Sequence, residues 1–107
     1  MTKEEAVALL NGHRQRIDQI DVEIVRLLNE RTCVVEQIGE VKRQATLPIY
    51  EPKREELVFE NVSRNNAGPM PSDAVKRVFE RIMDEMRTIQ RNRMQAQQNA
   101  GQAQAKD

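Results

Sequence analysis

An all-α chain of three helices, one long at the N-terminus, a short one in the middle and a long one at the C-terminus, is predicted by three features of the sequence. Between Ile17 and Val41 apolar residues recur at three- and four-residue spacing, the period of one helix face. The 107 residues are 38% apolar but only 3% aromatic, so Val, Ile, Leu and Met must build the core, a composition suited to helix packing. Strong breakers cluster at Thr46-Leu47-Pro48 and from Asn65 to Pro69, which divides the chain into three segments.

The first helix has two candidate starts. Thr2 and Glu5 stand at capping-box spacing, whereas Asn11-Gly12 offers a later start, because an interior glycine costs about 1 kcal/mol relative to alanine. From His13 to about Gln44 only Gly39 interrupts the pattern, and Pro48 ends it by pushing the residue before it out of helical conformation. Tyr50-Glu51-Pro52 reads as a turn into a second helix, about Pro52 to Asn65, with proline at a tolerated first-turn position and Leu57, Val58, Phe59 and Val62 as its apolar residues. Ser72 and Asp73 are candidate caps for a third helix reaching about Ala96, striped by Val75, Val78, Phe79, Ile82, Met83, Met86 and Ile89. The last stretch, QQNAGQAQAKD, is polar and of low complexity. The expected organisation is therefore one helical domain, 1–96, and a disordered polar tail, 97–107.

Seventeen basic and seventeen acidic residues cancel, which removes the global positive field of a nucleic-acid or anionic-membrane binder. No segment approaches the run of about eighteen apolar residues needed to span a membrane, and MTKEEAVALL lacks the features of a signal peptide. Cys33 has no second cysteine to pair with, and His13 has no companion at metal-ligand spacing. The expectation is a cytoplasmic protein without metal or cofactor, with Cys33 a packing residue and His13 on the surface.

Two cations break the stripe of the first helix. At 100° per residue, Ile24, Leu27, Leu28, Val34, Val35 and Ile38 fall within roughly 80° of one line, and Arg31 and Lys42 within about 20° of it. Both therefore point inward. A buried cation costs several kcal/mol unless an anion meets it, so either internal carboxylates pair with these two or the protein holds a pocket for an anionic ligand. Thirty or more helical residues span roughly 45 to 60 Å, whereas a chain of about 100 residues has a radius of gyration near 13 Å. A helix that long needs a partner, and an intertwined homodimer supplies one. Arg14, about 25 Å along the axis from Arg31, is too far to share its pocket within one helix but within reach from an antiparallel partner.

The third helix carries a neutral misfit. Gln90 continues the face of Phe79, Met83 and Met86 with an amide that both donates and accepts hydrogen bonds. Glu51, Arg54 and Glu55 cluster at the start of the second helix, where carboxylates gain from the helix dipole. An inward set that is mostly cationic, with one amide and nearby acids, suits a small dianion bearing a hydroxyl.

These residues carry a resemblance. IDQIDVEIVRLLNERTCVVEQIGEVK, then LPIYEPKREE, then RVFERIMDEMRTIQ together resemble the all-helical chorismate mutase family, from about Arg14 to Gln90. The resemblance implies a domain-swapped dimer of three-helix chains with two shared active sites, each converting chorismate to prephenate by a Claisen rearrangement. Carried over by position, Arg14 of the partner chain and Arg31 bind the two substrate carboxylates, while Lys42 and Gln90 bracket the ether oxygen. Glu55, assisted by the backbone around Glu51, holds the ring hydroxyl, and Arg54 lines the site. Met86 departs from the pattern, standing where similar family members often have a small hydroxyl residue.

The chemistry agrees with the residues present. A pericyclic rearrangement needs a folded substrate and stabilisation of charge growing on the ether oxygen, and a millionfold acceleration asks for roughly 8 kcal/mol of preferential transition-state binding. Arginine forks suit carboxylates and lysine suits a single oxygen. An amide at position 90 donates without titrating, so activity is expected to stay level across neutral pH. Two other functions fit part of the sequence: an isochorismate-pyruvate lyase using nearly the same anion pocket, and a non-catalytic helical dimer or adaptor, with the Arg-rich stretch from Arg87 to Arg93 as a basic surface.

Overall fold

The computed structural model describes residues 1–105, with side-chain surroundings through Gly101. Its elements are α1 (Lys3–Ala45), α2 (Pro52–Arg64) and α3 (Ser72–Ala105), and no strand occurs among the described residues. None of these helices is long and apolar enough to cross a membrane. The fold class is the one the apolar period predicts.

The earlier of the two candidate starts is used for α1. The Glu5 amide donates to Thr2 Oγ1 at 3.1 Å and the Thr2 amide to Glu5 Oε2 at 3.3 Å, the reciprocal pair of a capping box. At the other end Thr46 takes a left-handed conformation, with φ 57°, and the Leu47 amide reaches back to the Lys42 carbonyl at 2.8 Å. This is a Schellman-type turn, closed on a β-branched residue where glycine is usual. It folds the chain back so that Ile49 returns to Lys42.

The chain forms two compact units, Met1–Val34 and Val35–Asp107. In the first, the apolar stripe is largely exposed: Ile17 is 54%, Ile24 47% and Leu27 53% accessible, so the inward-facing core expected for this stretch is not filled by the chain itself. In the second, α2 packs on α3. Val58, Phe59 and Val62 are half-buried, and Met83 and Met86 are buried core residues. Lys76 lies over the Phe59 ring at 5.3 Å from its centre, tying the two helices at their outer edge.

Two expectations about α3 are corrected. Ser72 is its first helical residue and not its cap; the Val75 amide bonds the Pro71 carbonyl, and the Ser72 hydroxyl accepts from Asn66 Nδ2 at 3.2 Å. Asn66 organises the whole connection, since it also donates to the Met70 carbonyl and accepts from the Gly68 amide. Gly68 has φ 76°, a conformation open to glycine at little cost. The expected end near Ala96 is overrun: residues 97–105 continue the helix, because alanine and glutamine are good helix formers and no proline stops them. The last two residues of the tail expected at 97–107 lie outside the described residues.

Candidate active site

Lys42 is the focus of the second unit. Its side chain is 12% exposed, and Nζ donates to the Ile49 carbonyl at 2.9 Å and lies 3.3 Å from Glu51 Oε1. The inward cation of the stripe is thus met by an internal carboxylate and a carbonyl, both delivered by the turn after Thr46. An ammonium with three N–H groups keeps donor capacity after two such contacts.

Gln90 is 7% exposed, the buried polar side chain of α3, and its Nε2 donates to the Val35 carbonyl at 3.2 Å. It rests against Gly39, where an added Cβ would lie 3.6 Å from Gln90 Cγ. Lys42 sits one turn beyond Gly39 on α1, so a cation and an amide donor flank the same stretch of that helix. Outside them, Arg93 bonds Glu36 at 2.7 Å. Arg43 and Gln44 hydrogen bonds push the Glu40 carboxyl down to about 2.

The start of α2 supplies the acids. Glu51 is its N-cap by backbone conformation and makes no side-chain capping bond, which leaves its carboxylate to Lys42. Glu55 is 21% exposed, and its Oε2 lies 3.0 Å from Arg87 Nε. Arg54 is exposed on the first turn of α2. Met86 is buried at 7%, one turn before Gln90, and offers a thioether in place of a hydroxyl.

The structure thus draws Lys42 and Glu51 together, buries Gln90 and Met86 on α3, and leaves Arg54 at the surface. In the first unit, Arg14 is exposed and Arg31 half-buried. Arg87 is the residue that sequence reasoning missed. It falls within an Arg-rich run, but it also shares a face with Met83, Met86 and Gln90, and that third charged misfit was the available signal.

Comparison with known proteins bears directly on this set. The family model for chorismate mutase type II matches residues 13–91, a span holding Lys42, Glu51, Glu55 and Gln90. The chain belongs to this family. It is 43% identical over 83 residues to the bifunctional chorismate mutase/prephenate dehydratase of Neisseria gonorrhoeae, a match covering 78% of the chain and 22% of that relative. The bifunctional protein of Aquifex aeolicus is also 43% identical, over 74 residues, covering 65% of the chain and 20% of that relative. The chain spans about a fifth of the length of these curated relatives. Among solved structures, a Thermus thermophilus chorismate mutase is similar with a TM-score of 0.75 at 32% identity, covering 77% of the chain and 93% of that protein. The Helicobacter pylori chorismate mutase, solved in complex with prephenate, gives a TM-score of 0.76 at 26% identity, covering 82% and 96%. The helical fold is therefore that of the chorismate mutase family, and the half-buried Lys42 and the buried Gln90 both fall inside the matched span.

Proposed function

We propose that this chain catalyses the rearrangement of chorismate to prephenate as a homodimer with shared active sites. The observation that carries the reading is that the Lys42 side chain is only 12% exposed and Gln90 only 7%, both within the residues that match the family. A cation and an amide withdrawn from water are costly to keep for stability alone, and they are worth most where charge develops in a dry site.

In this reading Lys42 and Gln90 donate to the ether oxygen as its bond to the ring breaks and the new carbon–carbon bond forms. Gln90 Nε2 keeps one N–H on Val35 and turns the other to substrate. Arg31, by its position in the family pattern, takes one substrate carboxylate, and Arg14 of the partner chain the other. Glu55 accepts from the ring hydroxyl, Arg54 lines the site and Met86 forms part of its wall. Proton transfer and covalent intermediates have no part in the reaction, so conformational restraint and electrostatics carry it. The exposed stripe from Ile17 to Leu27 supports the dimer, because an unfilled apolar face of that length needs a covering surface. A cytoplasmic location, with Cys33 a free thiol, belongs to the same reading.

Purified protein incubated with chorismate, followed by ultraviolet absorbance, is expected to consume it and yield prephenate. Isochorismate assayed in parallel separates the mutase from the lyase, and inertness toward both would leave the adaptor. The shared site has its own test. Arg14→Ala and Lys42→Ala chains are each expected to be nearly inactive, yet mixing and reannealing them should restore about a quarter of wild-type sites, since half the dimers then carry one intact site. No recovery would refute contribution of Arg14 in trans.

A further inference from the structure

Arg87 stands outside the residues to which the family pattern gives a role, yet three parts of the second unit meet at its guanidinium. Its Nε lies 3.0 Å from Glu55 Oε2 at the start of α2, Nη2 bonds Asp84 on α3, and the group stacks over the Tyr50 ring at 5.1 Å from its centre. Its side chain is 26% exposed. We propose that Arg87 is a positioning residue for the substrate's ring hydroxyl, holding the Glu55 carboxylate and the Tyr50 turn in place; the inference rests on the chorismate reading above.

Two features of the geometry point this way. Nε is fully buried but makes no in-line hydrogen bond, so its contact with Glu55 is one of charge and proximity. The carboxylate is held at its Oε2 side by the guanidinium, and an ionised carboxylate has about four acceptor positions to offer. The second feature is the turn itself. Lys42 grips Ile49 and Glu51 from the α1 side, while Arg87 grips Tyr50 and Glu55 from the α3 side. Residues 49–55 are therefore clasped between two cations, one directed at the ether oxygen and the other at the group that reads the hydroxyl. A planar guanidinium can stack on an aromatic ring and pair with two carboxylates at once, which an ammonium cannot match.

The test is a double-mutant cycle on chorismate turnover with wild type, Arg87→Met, Glu55→Gln and the double variant, repeated with a chorismate analogue lacking the ring hydroxyl. Arg87→Met keeps the apolar stem and removes the charge. It is expected to raise KM for chorismate roughly tenfold with kcat changed less than about threefold, because the hydroxyl is remote from the breaking bond. The double variant should be no worse than Glu55→Gln alone, and the Arg87→Met penalty should vanish on the analogue. Arg87→Lys should recover part of the KM. Additive losses, or an equal penalty on the analogue, would overturn the proposal while leaving the mutase reading intact. A wild type inert toward chorismate overturns both. Should circular dichroism show Arg87→Met unfolded, the cycle is run with Arg87→Lys on the same criteria.

Discussion

The two units of this chain treat an amphipathic helix in opposite ways. In residues 35–101 the polar groups that interrupt an apolar face are each met from within: Lys42 by Ile49 and Glu51, Gln90 by Val35, Arg87 by Glu55, Asp84 and Tyr50. In residues 1–34 the apolar face itself is left uncovered, and Ile17, Ile20, Ile24 and Leu27 stand between 42% and 54% exposed. The contrast separates two kinds of incompleteness. Under the proposed function, one unit has its internal charges met by its own residues and receives the small ligand. The other has its local ion pairs, such as Glu23–Arg26–Glu30, and in the same proposal meets a second copy of the chain.

The sharpest way to break this division is at Lys42. Lys42→Ala is expected to lower kcat by roughly a thousandfold, since one preorganised donor at a developing charge is worth that much. Stability should fall by only about 1 kcal/mol, because the Glu51 side chain it frees is 44% exposed and returns to water. Near-normal turnover would remove Lys42 from the site. In the first unit, Ile24→Asp places a charge on the uncovered face. It is expected to convert dimer to monomer at micromolar protein, read by sedimentation equilibrium, with activity lost in proportion. A variant that stays dimeric and active would move the interface off this stripe.

Gln90→Glu sharpens the comparison from inside the second unit. At neutral pH a carboxylate would face the Val35 carbonyl where an N–H now donates, and activity should drop about a hundredfold. Burial disfavours the charged form and raises the pKa of the new acid, so protonation restores a donor and activity climbs on acidification while wild type stays level. A flat profile for the variant would exclude Gln90 as the donor. The smallest effect is expected at Glu40, whose carboxyl is held down to about 2 from an ordinary value of 4.5. A depressed folded-state value gives stability that is present above 4.5 and lost as pH falls through 2. Glu40→Gln should therefore lower the melting temperature slightly at pH 7, with the difference shrinking toward pH 2 in thermal scans.

Much of the fold is legible in the residues because its causes are local. Thr2 and Glu5 mark by spacing one of the two candidate starts, Pro52 its helix start by a fixed φ, and Lys42 and Gln90 stand out by interrupting a period. The end of α3 is harder to read, because polar low complexity argues against a helix that Ala and Gln nonetheless favour. Ser72 has the chemistry of a cap, yet the connection is organised by Asn66, whose bonds reach Met70 and Ser72 around a turn that no short motif encodes. Arg87 escapes for a related reason. Its partners Tyr50 and Glu55 lie on other segments, and such pairings follow from helix packing alone.

The bond between Gln90 and Val35 joins positions 55 residues apart, and it has a thermodynamic consequence for any molecule arriving later. A free glutamine rotates about several torsions, and freezing it costs on the order of 1 to 2 kcal/mol of entropy. Here the fold has already stilled that rotor before an encounter occurs. Whatever takes the second amide hydrogen meets a donor aimed in advance, and its affinity is not diminished by having to quiet the side chain first.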